Sequence, residues 1–305
     1  MRVCLMVEGQ EGVTWEQWVA LAQACERAGL EGLFRSDHYT GFHSAHGGAL
    51  DCWATLSALA AVTDRIHLGS LVSPATFRHP SVLARMAVTA DQVAPGRIEL
   101  GIGAGWNEDE HVRHGFPFPP LAERLSRFAE QVEIVHRQWT EEEFDFSGEH
   151  YELRGSRALP KPRSKPNLIV GGSAKSGTIG PAVRFADEYN TVFATADECR
   201  KRKRRLDEAC ERAGREPLVF SLMTGCIVGS DRDDLEARRG RLADFLGRPV
   251  SEVGTGAAAI VGTVDEAAER LRELERAGVE RVMLQHLLHE DVEMVELLGE
   301  LSNAV

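Results

Sequence analysis

Eight short β-like runs, nearly every one followed by an amphipathic helix, are the strongest constraint on how this chain can fold. The runs are Arg2–Val7, Gly32–Ser36, Arg65–Val72, Arg97–Gly105, Asn167–Gly172, Glu188–Phe193, Val219–Gly229 and Gly278–Leu287. Helical patterns cover Thr14–Ala28, Asp51–Ala61, Ser81–Val93, Leu121–Trp139, Glu198–Ala213, Asp231–Leu246 and Val264–Ala277, and a last helix closes the chain. Thr14 is a suitable N-cap, Gly29 a suitable stop, and Pro80 a suitable helix entry. Strand–helix alternation means a parallel sheet with crossover helices. Eight units in 305 residues match a closed (β/α)8 TIM barrel with insertions. An open doubly wound sheet stays as the second reading, because closure is invisible in sequence. The stretch "EFDFSGEHYELRG" alternates like a hairpin and runs into "LPKPRSKP". One domain is therefore expected over residues 1–305, with residues 140–166 inserted in it.

The formal charge of −12 argues against a nucleic-acid backbone or an anionic membrane as partner. The one basic cluster, Arg200–Arg205, continues into "LDEACERAG" and reads as a solvated helix face balanced by acids. Cys4, Cys25, Cys52, Cys199, Cys210 and Cys226 are scattered without a C-x-x-C pair, which fits free thiols in a reducing cytoplasm. The opening "MRVCLMVEGQEG" has too short an apolar run for a signal peptide, and no run has the length of a membrane span.

In a barrel the site lies at the carboxyl ends of the strands. Those ends carry "SDHY", "SLVSPATFRHP", "GIGAGWNEDE", "VGGSAKSG" and "QHL", so ionisable and glycine residues gather at one rim. Gly172 and Gly177 have the glycine spacing of an ATP-binding P-loop, yet Thr178 stands where its lysine should be. What survives is a phosphate cradle: small residues, the hydroxyls of Ser173, Ser176 and Thr178, and a helix N-terminus behind them. "GIGAG" fails the dinucleotide fingerprint, since its third glycine would fall at Trp106 and "NEDEH" is no apolar helix start. His38, His43, His46, His111 and His114 match no common metal template, so no metal is expected. Asp37 and His38, a carboxylate beside an imidazole, can exchange a proton with a substrate near neutral pH; a structural Asp capping a turn is the alternative. The lysines all fall in loops or helices, which disfavours Schiff-base chemistry, and no G-x-S-x-G elbow is present.

The segments "SDHY", "GSLVSPATFRHPSVLAR", "GRIELGIGAGWNEDEHVRHGFPFP", "ERLSRFAEQVEIVHRQW" and "VGGSAKSGTIGPAVRFADEYNTV" resemble the bacterial luciferase-like superfamily, and within it the coenzyme F420-dependent oxidoreductases. The resemblance runs in order over nearly the whole chain. It implies a TIM barrel with a deazaflavin or flavin at the carboxyl ends of the strands. It implies a bulge with a non-prolyl cis peptide behind the ring, at Ser70–Leu71 or the bond after it, so that Ser70, Leu71 and Val72 face the cofactor. It implies Asp37 near the cofactor with His38 managing the proton. The cofactor contacts it implies are Gly103, Ala104, Gly105, Trp106 and Asn107, with Gly171, Gly172, Ser173 and their neighbours at the phosphate. In the sugar-phosphate dehydrogenase branch a glutamate near these glycines serves as acid; here Trp106 is the best match, and no Lys/Arg trio for a phosphorylated substrate is evident. An apolar or aromatic substrate is equally compatible. The leading expectation is hydride transfer between F420 and a small organic substrate. The alternatives are an FMN-dependent monooxygenase using reduced flavin and oxygen, supplied by a reductase partner, and a non-catalytic flavin-binding barrel. A homodimer is the family's usual assembly.

Overall fold

The computed structural model describes residues 1–43 and 47–305. The elements run β1 (Arg2–Val7), α1 (Trp15–Ala28), β2 (Gly32–Arg35), α2 (Cys52–Ala60), β3 (His67–Pro74), α3 (Pro80–Val93), β4 (Ile98–Gly103), α4 (Glu108–His114) and α5 (Leu121–Thr140). They continue through the hairpin β5 (Phe144–Ser147) and β6 (Glu152–Ser156) to β7 (Asn167–Gly171), α6 (Ser176–Phe185), β8 (Glu188–Val192) and α7 (Ala196–Arg212). The chain ends with β9 (Val219–Gly229), α8 (Arg232–Leu246), β10 (Ile260–Thr263), α9 (Val264–Arg276), β11 (Arg281–His286) and α10 (Val292–Asn303).

Eight strands close a parallel barrel in the order β1-β2-β3-β4-β7-β8-β9-β11, with β11 pairing back to β1 and β8 to β9. Closure decides between the two sheet readings in favour of the (β/α)8 barrel. Each expected strand run overlaps one barrel strand, although β3 runs on to Pro74, past the expected end at Val72. The long β9 pairs β11 through Ser221–Gly225 and then β10 through Cys226–Gly229, so β10 is an extra edge strand beyond the barrel.

Local chemistry explains the helices. Thr14 and Gln17 form a reciprocal capping box at the start of α1, and Gly29 ends it in the left-handed region at φ 76°. Trp18, Leu21, Ala22 and Cys25 repeat at helical spacing and are buried against the barrel. The lumen is filled by Cys4, Met6, Phe34, Ile169, Met223 and Met283, with Leu71 and Val72 packed on them. At the amino-terminal end the lumen is polar. There Arg281 on β11 donates to Glu99 on β4 at 2.7 and 2.8 Å and to Glu188 on β8 at 3.0 Å. All six cysteines are buried and free, and among the described residues no helix is long and apolar enough to cross a membrane.

Candidate active site

The floor of the barrel mouth is built by a bulge. Between Ser70 and Ser73 the β3–β4 register shifts, and the Leu71–Val72 peptide is cis. The cis bond is thus the one after Ser70–Leu71. Ser70 is fully buried and its hydroxyl donates to the Gly101 carbonyl at 3.0 Å, so it joins β3 to β4. Val72 instead turns across the strand ends. A Cβ on Gly103 would lie 2.8 Å from its Cγ2, and one on Gly171 would lie 3.1 Å from its Cγ1. The glycines of β4 and β7 therefore make room for Val72, which itself offers an apolar platform to a flat ring.

His38 stands above β2 as one wall, 13% exposed. Its ring meets Phe42 edge-on at 5.0 Å and Trp106 at 5.9 Å, and Trp106 is itself 66% exposed. Glu11 fixes Phe42 by accepting from its backbone N–H at 2.6 Å. The carboxylate bonded to His38 is not its neighbour Asp37. Glu110 Oε2 lies 2.8 Å from His38 Nδ1, while Glu110 Oε1 accepts from the N–H groups of Tyr39 at 2.5 Å and Thr40 at 3.1 Å. Nε2 of His38 has no partner among the described residues. Burial opposes the imidazolium, but the hydrogen bond and charge of Glu110, with the charges of Glu8 and Asp37, raise the His38 pKa above its ordinary value. Burial likewise works against the Glu110 carboxylate, and His38 and the two N–H groups outweigh it and hold its pKa low.

Asp37 is 2% exposed and is engaged elsewhere: its Oδ2 accepts from Ser73 Oγ and from Arg78 Nη1, both at 2.6 Å. It fastens the end of β2 to the loop after β3 and reaches His38 only through its charge. Asn107 also serves the fold, since its side chain caps α4 by accepting from Glu110 N–H. The polar run after Trp106 forms this helix because Glu108, Asp109 and Glu110 occupy its first turn and His111, Arg113 and His114 its last, matching the helix dipole. Gly105, at φ 81°, leaves room for Thr76, whose Oγ1 would be 2.8 Å from an added Cβ. Ala104 packs against the core.

Across the mouth, Gly171, Gly172 and Ser173 lead into α6. The N-cap Lys175 makes no side-chain capping bond, and only its carbonyl is used, accepting from the N–H groups of Thr178 and Ile179 at 3.1 Å. Ser173 and Ser176 are exposed there, whereas Thr178 turns inward: its hydroxyl is 2.6 Å from Tyr189 and donates to the Lys175 carbonyl. Tyr189 also accepts from Ala174 N–H at 2.9 Å, and Ala174 itself adopts a left-handed φ of 53°. Tyr189 and Thr178 thus hold the loop's shape, with Gly172 required because a Cβ would meet both. Apolar platform, imidazole wall and uncapped helix end together fit a ring with a phosphate-bearing side chain. His46 lies outside the described residues.

Between β8, β9 and the segment before β10 a cavity of about 530 Å³ opens beside this mouth, lined by Phe193, Cys226, Ile227, Leu242, Leu246 and Val253. Gln285 borders it and donates to buried Glu8 at 2.5 Å. Neither Glu110 nor this cavity was accessible to motif reading. The Asn107–Glu110 spacing is that of a capping box, which would turn Glu110 back to its own helix.

The family model described as luciferase-like monooxygenase matches residues 3–252. An F420-dependent glucose-6-phosphate dehydrogenase from Nakamurella multipartita is 34% identical over 202 residues, covering 62% of this chain and 59% of that protein. A pyrimidine monooxygenase from Allorhizobium ampelinum is 28% identical over 228 residues, covering 70% of this chain and 60% of that one. The chain thus spans about three fifths of the length of these curated relatives. An F420-dependent secondary alcohol dehydrogenase, solved with an F420–acetone adduct, has the same fold at TM-score 0.84 and 19% identity, covering 100% of this chain and 98% of that one.

Proposed function

The chain belongs to the luciferase-like monooxygenase family, and within it we propose an F420-dependent oxidoreductase that moves a hydride between the deazaflavin and a small organic substrate. The observation that carries this reading is the His38–Glu110 pair, with one imidazole nitrogen anchored and the other free. Bound F420 supplies the hydride chemistry at its C5 carbon. Val72 supports the ring, and the Gly171–Ser176 turn with the start of α6 takes the phosphate. Phe42 and Trp106 limit water at His38, whose Nε2 gives or takes the proton that accompanies hydride transfer. Asp37 serves by positioning, through Arg78 and Ser73. The relatives named as F420-dependent dehydrogenases support the choice of cofactor.

The apolar lining beside the mouth supports a substrate with an aliphatic or aromatic body. On family grounds we also assign a homodimer and a separate reductase as supplier of reduced cofactor.

Fluorescence titration of the purified protein with F420, and with FMN in both redox states, tests the reading. Tight F420 binding beside weak FMN binding is expected. Preference for reduced FMN would replace hydride transfer by oxygen chemistry, the activity that the pyrimidine monooxygenase relative brings to mind. Binding of neither would remove the cofactor site altogether.

A further inference from the structure

Phe193 stands where the backbone favours glycine. It follows the last residue of β8 and has φ 45°, in the left-handed region; the other described residues with positive φ are glycines and two alanines, Ala158 and Ala174. For a side chain of this bulk that conformation is strained. The turn itself has a local cause. Within three residues the chain leaves β8, buries Ala194 and reaches Thr195, the N-cap of α7, while the Phe193 N–H donates to the Met223 carbonyl at 2.9 Å. A glycine would make the same turn without the strain. The ring lies outside the apolar core, 53% exposed, and meets no other aromatic ring or cation among the described residues. What it does line, with Ile227, Leu242, Leu246 and Val253, is the cavity of about 530 Å³ beside the mouth. Through Met223, which packs in the lumen with Leu71 and Val72, the same residue is one hydrogen bond from the platform for the cofactor ring. The charged side chains in the lining are Glu198, Arg248 and Glu252. Glu198 is spent on capping α7 and on Arg202, and Arg248 and Glu252 have opposite signs, so the cavity carries no surplus charge for an ionic ligand.

We propose that Phe193 is a specificity-determining residue: the apolar body of a neutral substrate occupies this cavity and covers the Phe193 ring. The inference deepens the F420 reading and rests on it, since it concerns the part of the substrate that does not react. Covering an exposed aromatic ring gains free energy on binding that the free chain does not have. That gain offsets the strain which a glycine would avoid. The residue thus favours aromatic or branched aliphatic bodies over small or charged ones.

The test titrates the full chain with the neutral fluorophore N-phenyl-1-naphthylamine as an apolar probe, with and without F420, beside melting curves of the free protein. The wild type should bind the probe whether or not F420 is present. Phe193→Gly should bind it roughly tenfold more weakly, with its affinity for F420 unchanged. Its melting midpoint should rise by about 2 °C because the strain is gone. Phe193→Leu keeps the apolar bulk and the strain, and should keep most of the probe affinity and melt near the wild type. Unchanged probe affinity in Phe193→Gly would overturn the proposal, as would a lowered midpoint, which would make the ring part of the fold. A wild type that ignores the probe, or releases it when F420 binds, would overturn it too. Failure of F420 to bind the wild type would instead strike the cofactor reading, and the probe affinity of Phe193→Gly would still decide whether Phe193 meets an apolar ligand.

Discussion

Glu110 accepts hydrogen bonds from two backbone N–H groups and holds His38 by a third contact, which makes it the group that sets both the orientation and the proton affinity of the imidazole. On the proposed reaction, His38→Ala should lower turnover by roughly 10²–10⁴-fold, the usual worth of a positioned acid or base, while the dissociation constant for F420 stays nearly unchanged. Unchanged turnover would remove His38 from the chemistry. Glu110→Gln has a more specific expected result. The carboxylate favours the imidazolium, so the folded-state pKa of His38 lies above its ordinary value of 6.5. Neutralising Glu110 removes that support, and the limb of the pH–rate profile belonging to His38 should move toward acid. A variant that loses rate without moving the limb would mark Glu110 as a purely structural cap. The same geometry explains why the sequence pointed to Asp37. Adjacency made it the obvious partner, yet both residues lie past the end of β2 at Arg35, and Arg78 and Ser73 have claimed the Asp37 carboxylate.

At the level of elements, the bulge in β3 depends on glycine in the facing strand. A Cβ at Gly101 would run into the Ser70 carbonyl oxygen, which is backbone and cannot rotate away, and would crowd Val72 Cγ1 at 2.9 Å. Gly101→Ala should therefore destabilise the fold by about 1–3 kcal/mol, read as a lowered thermal midpoint, and should weaken F420 binding because Val72 is displaced. A melting curve that superimposes on the wild type would mean the bulge relaxes freely. Alternating strand runs and capped helices were legible because hydrophobic period and capping chemistry are local signals. The N-cap Thr14 and the left-handed Gly29 are of that kind, whereas the cap Thr195 places the start of α7 two residues before the expected Glu198. The short helix α4 was not legible, since it lacks an apolar face and is held by Asn107 and by acids and bases matched to its dipole. Strand β10 was hidden for another reason. It has only four residues, and its one forecast was the unusual length of the run Val219–Gly229, which needed a second partner for its last residues. The rim glycines were seen, but their use by Val72 was not, because it is a contact between three strands.

Across the whole molecule, the end of the barrel opposite the site is closed by charge instead of apolar packing. Arg281 is 1% exposed and faces three carboxylates: Glu99, Glu188 and, at 2.6 Å from its Nε, Glu31. The two buried carboxylates behave oppositely. Burial raises the pKa of each. For Glu99 the charge and bonds of Arg281, with bonds from His67 and Asn167, win and drive it well below the ordinary carboxylate range. For Glu188 the repulsion of Glu99 adds to burial, Arg281 does not compensate, and its pKa ends above the ordinary value. The signs then fix the consequences. A raised folded-state pKa contributes stability below the unfolded value of 4.5 that is lost as pH rises through the folded one, so at neutral pH an ionised Glu188 is a burden. Glu99, with its pKa depressed, contributes stability above 4.5 that is lost as the solution is acidified. Removing the shared cation should leave the carboxylates unpaired, and Arg281→Met should cost about 3–5 kcal/mol in urea unfolding at pH 7. Glu188→Gln keeps the shape and removes the surplus charge, so it should leave stability at pH 7 equal or higher, with a smaller advantage at pH 5. If Glu188→Gln proved as damaging as Arg281→Met, Arg281 would need both buried charges, and the closure of the barrel would depend on the full network instead of the single Arg281–Glu99 pair.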